Sequence, residues 1–199
     1  MIPSRWEFGS DFHSLPPGEC CVRLRPAAPV KAALRSQPVA PETTRASLPA
    51  EAHPHTFWAS GRDALVALLQ WAKPTLSLNR LWCPSYLCQP MLHAAKAADL
   101  SLVAYPDSPL SSRAETSRLE LRSGDMVLAV GYFGLRGPAL RLPPRRSASI
   151  YVLEDHSHDP WSNWAAASKA DFCFASLRKT LPIPDGAVLW SPRGWVGPS

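Results

Sequence analysis

Two stretches of the chain end in residues able to do acid–base and covalent chemistry. The apolar run Ile150-Tyr151-Val152-Leu153 stops on Glu154 and Asp155, and Phe172-Cys173-Phe174-Ala175 stops on Ser176-Leu177-Arg178-Lys179. Two such strands side by side, each closing on polar residues, are what an open α/β sheet places at its carboxyl edge, where ligands sit. A carboxylate at one strand end and a lysine beyond the next form the pair that pyridoxal phosphate requires. The acid keeps the pyridine nitrogen protonated, and the lysine holds the aldehyde as a Schiff base. Neither residue is specific alone. Strand-end acids are common, and a lysine after a strand is ordinarily a solvated loop residue.

A pair of this kind needs an anchor for a phosphate, and the segment Ser60-Gly61-Arg62-Asp63 offers one. Ser60 and Asp63 have the spacing of a capping-box variant. Leu65, Leu68, Leu69 and Ala72 then recur at helical spacing, which predicts an amphipathic helix over residues 62–73. Gly61 in the first turn lets backbone N–H groups approach an anion closely, as helix N-termini do. An ordinary capped helix carries the same signature.

The remaining elements frame these three points. Residues 81–83 read as a short strand and 86–98 as a second helix, with Pro90 tolerable only in its first turn. Strands are expected at residues 100–105, 126–130, 150–153, near 171–175, and 186–190. The glycines of Gly131-Tyr132-Phe133-Gly134 mark a turn at the carboxyl end of the 126–130 strand. Strands alternating with helices and short loops predict a three-layer α/β/α domain around a mostly parallel sheet. Residues 1–55 read as an appendage. An arm with Trp6, Phe8 and Phe12 leads into a Pro/Ala-rich loop, with a short helix near 30–34, and the folded domain occupies 56–199.

Composition narrows the function classes. The formal net charge is +5, but the basic residues are scattered, and the densest group (Arg136, Arg141, Arg145, Arg146) reads as a solvated loop face rather than a nucleic-acid footprint. No apolar stretch approaches a membrane span, and the N-terminus lacks a signal-peptide pattern. Five cysteines, an odd number without framework spacing, favour free thiols in a reducing, cytoplasmic setting.

With these landmarks in order, residues 57–190 resemble the N-terminal half of the DegT–DnrJ–StrS-type sugar aminotransferases, which are fold type I pyridoxal-phosphate enzymes. Ser60-Gly61-Arg62-Asp63-Ala64-Leu65 resembles the family's "SGTDAL" phosphate-cup start. Pro84-Ser85-Tyr86 with Val103 resembles its "PSYTxxAT…GAxPVxVD" unit, and Gly131-Tyr132-Phe133-Gly134 its "HLYG" turn. Leu153-Glu154-Asp155-His156-Ser157-His158 resembles "xEDAAQ". Ser176-Leu177-Arg178-Lys179 with Asp185-Gly186-Ala187-Val188 resembles the lysine loop and the strand behind it. The resemblance implies an aspartate-aminotransferase-like large domain with pyridoxal 5'-phosphate as cofactor. It makes Lys179 and Asp155 catalytic, and gives Gly61, Arg62, His158 and Ser176 to cofactor binding. The family's threonine at the cup is Arg62 here, and its ring-stacking aromatic falls near Cys88. The implied reaction moves an amino group from an amino-acid donor to a keto-sugar, often nucleotide-linked. The implied partners are a second copy of the chain or the remaining C-terminal half. Because the chain ends soon after the last matched strand, a C-terminally truncated or split form is expected.

Two alternatives stand beside this reading. His156-Ser157-His158-Asp159 puts two imidazoles near carboxylates after a strand, a setting for a metal-dependent hydrolase, although the usual His-x-His-x-Asp-His order is not met. No residue is assigned as a metal ligand on this basis. The other alternative is a non-catalytic remnant domain.

Overall fold

A computed structural model describes residues 47–114, 116–138, 140 and 149–199. The aromatic arm, the loop up to residue 46, the short helix near 30–34, Cys20, Cys21, Arg141, Arg145 and Arg146 lie outside the described residues.

The strands are β1 (His55–Trp58), β2 (Arg80–Pro84), β3 (Ser101–Tyr105), β4 (Asp125–Val130), β5 (Ile150–Asp155), β6 (Phe172–Ser176) and β7 (Ala187–Trp190). They form one sheet in the order β1-β7-β6-β5-β4-β2-β3. Strands β3, β2, β4, β5 and β6 are parallel neighbours, while β7 runs antiparallel to both β6 and β1. The expectation of a mostly parallel sheet therefore holds. Every residue of β4, β6 and β7 is buried, as near-continuous apolar runs should be when a sheet is covered on both sides.

Two helices cover one face. Helix α1 (Gly61–Thr75) presents Ala64, Leu65, Leu68, Leu69 and Ala72 to the core, and α2 (Gln89–Ala97) presents Met91, Leu92, Ala94 and Ala95. Their apolar stripes pack with Tyr151, Leu153, Phe172 and Phe174 of the central strands. The opposite face has lighter cover. A 3-10 turn (Pro49–Ala52), the four-residue helix α3 (Asn163–Ala166) and loop segments pack there on Val152, Cys173, Ala175, Val188 and Trp190.

Two boundaries and one side chain differ from the sequence reading. The loop expected up to residue 55 stops earlier, because Leu48 and Ala50 are buried in the second core cluster and β1 begins at His55. Helix α2 starts at Gln89 rather than near 86, since Pro90 belongs in the first turn and the Tyr86 carbonyl is taken by the Tyr132 hydroxyl at 2.6 Å. The group expected as a solvated arginine face loses Arg136, which forms an ion pair with the buried Asp107 and lies over the Tyr132 ring, 5.1 Å from its centroid.

Candidate active site

The carboxyl ends of β5 and β6 and the start of α1 surround one cleft of ≈ 190 Å³. Ser60, Gly61 and Arg62 line one side, Cys88, Pro90 and Met91 another, and Asp155, Ser157, Phe174, Ser176, Arg178 and Lys179 the rest. Of the six residues singled out from sequence, five line this cleft: Gly61, Arg62, Asp155, Ser176 and Lys179. The sixth, His158, adjoins it through Lys179.

Local geometry follows from the sequence. Ser60 caps α1: its Oγ accepts the Asp63 N–H at 3.2 Å and donates to Asp63 Oδ2 at 2.7 Å. That reciprocal bond holds the first turn, leaving its other N–H groups to point outward. Gly61 sits where a side chain would crowd β6, since an added Cβ would stand 3.2 Å from Ser176 Cβ and 3.6 Å from the Phe174 ring. The glycine thus lets α1 begin hard against the strand end.

Asp155 is 7% exposed, and its Oδ1 accepts the Ser157 N–H at 2.8 Å. Ser157 in turn accepts the Ser176 N–H at 2.9 Å, which ties the ends of β5 and β6 together. No ion pair among the described residues joins Asp155 to Lys179 or to any other cation. Lys179 ends a 3-10 turn (Leu177–Lys179), and its Nζ lies 3.3 Å from His158 Nε2.

His158 is held on its other side. Its ring stacks on Phe133, with centroids 4.7 Å apart, and its Nδ1 takes the Phe133 N–H at 3.2 Å. Phe133 has φ 54°, a left-handed conformation that few non-glycine residues adopt, at the turn expected from Gly131-Tyr132-Phe133-Gly134. Burial and then the Lys179 charge push the His158 pKa below its ordinary value, with Asp155 opposing, so the neutral ring is favoured. A neutral imidazole accepts at one nitrogen only. His158 therefore accepts either the Phe133 N–H at Nδ1 or a Lys179 N–H at Nε2, but not both at once.

The two histidines of the metal alternative go to different surroundings. His156 is bound to Glu154, 3.0 Å away, and groups with Cys173, whereas His158 meets Phe133 and Lys179. Burial pushes the Cys83 thiol up to about 12, which makes it inert, while Cys88 lines the cleft. Sequence reasoning passed over Ser157 and Arg178 as site residues. Ser157 lies two residues past Asp155, the spacing that returns a side chain to the same face of a strand, so its position was there to be read. Arg178 carried no signal beyond its charge.

A mostly parallel seven-stranded sheet in this order, with β7 reversed and helices against it, is the fold of the pyridoxal-phosphate-dependent transferases. The chain is similar to the sphingosine-1-phosphate lyase of Burkholderia pseudomallei (12% identity, TM-score 0.52, covering 70% of this chain and 38% of that one). It is similar also to the aromatic amino acid aminotransferase of Psychrobacter sp. B6 (12% identity, TM-score 0.51, 70% and 42%). A third similar structure is Helicobacter pylori PseC, an aminotransferase involved in pseudoaminic acid biosynthesis (14% identity, TM-score 0.52, 69% and 39%). The chain spans about two fifths of each of these structures. No family model and no curated protein matches the sequence.

Proposed function

We propose that this chain carries the cofactor-binding half of a pyridoxal-phosphate-dependent aminotransferase of the sugar-aminotransferase type. The observation that carries the reading is the cleft itself, where Asp155 and Lys179 meet one space without an ion pair between them. A direct salt bridge would fill the room a ring needs. The donor set fits the group: a glycine-opened helix N-terminus with Arg62, Ser176 and Arg178 suits a phosphate, and a buried carboxylate suits a pyridine nitrogen.

When bound, pyridoxal phosphate supplies an electron sink that stabilises negative charge on a substrate carbon. The remaining work falls to the chain. The α1 N-terminus, with Arg62 and Arg178, would hold the phosphate, and the Ser176 hydroxyl would add a hydrogen bond. Asp155 would keep a proton at the ring nitrogen, an interaction worth far more where water is excluded. Lys179 would hold the group through its aldehyde and carry a proton at its Nζ. His158 Nε2, 3.3 Å from Lys179 Nζ, is placed to hand that proton on or take it back. Cys88 and Met91 supply a soft, apolar wall where the resembled family has an aromatic, and sulfur against a ring edge or face is itself a favourable contact. The substrate is a keto-sugar and the donor an amino acid. A second copy of the chain or a separate C-terminal half would complete the pocket.

The test is covalent capture. Purified chain is mixed with pyridoxal phosphate, reduced with borohydride and mapped by mass spectrometry. The reading expects one pyridoxyl group, on Lys179, lost in Lys179→Ala. Labelling spread equally over Lys73, Lys96 and Lys169 would overturn it. Amino transfer from an amino acid to a nucleotide-linked keto-sugar, lost in the same variant, tests the substrate class.

A further inference from the structure

The back of β5 carries a second cluster of reactive side chains that the cleft does not use. Side chains alternate along a strand, so Asp155 faces α1 while Glu154 points the other way, with His156 beyond it on the same side. Glu154 stands directly opposite Cys173 in the β5–β6 register. One donor atom from each of Glu154, His156 and Cys173 lies within 4.8 Å of the others. His156 Nε2 is 3.0 Å from Glu154 Oε2, and Cys173 Sγ is 3.9 Å from the same oxygen. His156 is 2% and Cys173 0% exposed. The Glu154 side chain, at 14%, is the cluster's contact with solvent. Ser168 Oγ donates to Glu154 Oε2 at 2.6 Å and lies 3.3 Å from Cys173 Sγ.

We propose that Glu154, His156 and Cys173 form a binding site for one zinc ion, with Ser168 orienting the carboxylate. A carboxylate oxygen, an imidazole nitrogen and a thiolate are the donor types zinc takes, and this mixture disfavours magnesium and calcium. Donors about 2.0–2.3 Å from a tetrahedral ion stand roughly 3.3–3.6 Å apart. Two of the observed separations, 3.0 and 3.9 Å, bracket that spacing, and the third, between His156 and Cys173, lies within 4.8 Å, so these two side chains would draw together on the ion. Charge also balances, because one carboxylate and one thiolate neutralise a doubly positive ion and leave no net charge in the core. Two of the ligands are cross-strand partners, and the third lies one residue past the end of β5, where its N–H still bonds the Phe174 carbonyl at 2.9 Å, so backbone pairing brings the three together before metal arrives. Zinc gains bonds to Cys173 Sγ, His156 Nε2 and a Glu154 oxygen; the Cys173 S–H proton leaves to solvent, and the proton that His156 Nε2 shares with Glu154 moves to Nδ1. A water completes the tetrahedron. Buried on the strand face turned away from the cleft, the ion would brace the strand whose other face presents Asp155.

Cobalt(II) is the probe. The full chain is stripped with a chelator and titrated with Co²⁺, and thiolate-to-cobalt charge transfer is followed in the near ultraviolet. The proposal expects the band to saturate at one metal per chain, with release of the thiol proton and displacement by Zn²⁺. Cys173→Ser should abolish it, whereas Cys88→Ser and the double variant C20S/C21S should keep it. His156→Gln should keep the band but weaken cobalt affinity about tenfold or more. Absence of the band from folded wild-type chain, or its survival in Cys173→Ser, would overturn the site. Should Cys173→Ser fail to fold, unchanged affinity in both His156→Gln and Glu154→Gln would overturn it equally.

Discussion

The two ends of the parallel strands treat their buried acids differently. At the amino ends, Asp125 accepts from Arg80 Nε at 2.7 Å and from its terminal nitrogen at 2.6 Å, from Trp82 Nε1 at 3.0 Å and from the Arg122 N–H at 2.7 Å. Asp171 accepts from the Val152 N–H at 2.8 Å and from Arg193 at 3.0 Å. At the carboxyl ends, Asp155 takes a single side-chain-to-backbone bond from Ser157, while Arg62, Arg178 and Lys179 share its cleft without pairing to it. Acids at the amino ends are saturated by partners and serve the fold. Past the carboxyl end of β3 the buried Asp107 is likewise paired, with Arg136, so Asp155 stands apart from all three as the acid short of partners, which costs stability and leaves capacity for a ligand.

The sharpest way to break this contrast is Asp125→Ala. Removing one member of a buried, hydrogen-bonded ion pair should cost about 3 kcal/mol, the lower end of the usual range because Arg80 reaches solvent. Denaturant unfolding measures it, and a loss below about 1 kcal/mol would make the pair an ordinary surface bridge. The same acid sets a pH window. Burial raises the Asp125 pKa, but Arg80, the Arg122 N–H and Trp82 together hold it below the ordinary 3.8. Its stabilisation is therefore complete above pH 3.8 and is lost as pH falls through the lower folded value. Asp125→Asn should flatten stability across that acid window.

Asp155→Asn should do the reverse. It removes a buried charge that has no cation partner, so unfolding free energy should change by less than about 1 kcal/mol or rise slightly. Pyridoxal phosphate should bind about tenfold more weakly, on the order of 1.4 kcal/mol, by spectroscopic titration. A large destabilisation with unchanged binding would place Asp155 among the structural acids. The smallest change expected is Ser60→Ala, about 1 kcal/mol of stability through the lost cap. Read in the presence of inorganic phosphate, it should also narrow the stabilisation that the anion confers at the α1 start.

Much of the sheet could be read from apolar runs. The expectations at 126–130, 150–153 and 186–190 fall on β4, β5 and β7 to within two residues at each end. Strand β1 was passed over because its four residues alternate between exposed and half-buried positions, too short a pattern to separate from the helix start beside it. The reversal of β7 had a physical cue that went unused. The connection from β6 is short and holds a single 3-10 turn but no α-helix, whereas a parallel crossover needs a dozen or more residues. Helix α1 was legible because a cap, an acid three residues on and a leucine stripe all agree on its start.

By itself the sequence determined that a strand ends on Glu154-Asp155, that a lysine follows the next strand, and that a helix opens at Gly61. Those are local facts, carried by apolar runs, alternation and capping chemistry. It also determined that Glu154 and Asp155 point opposite ways, since alternation is a property of any strand. Only the tertiary structure decided which of them faces α1. That choice depends on which side of the sheet the helix packs, and so on contacts between segments far apart in the chain. The same packing brought Gly61 to within side-chain reach of Ser176 and gave Asp155 a cleft in place of a cation. On the other face it set Cys173 opposite Glu154, because strand register is a pairing between segments that no single segment specifies.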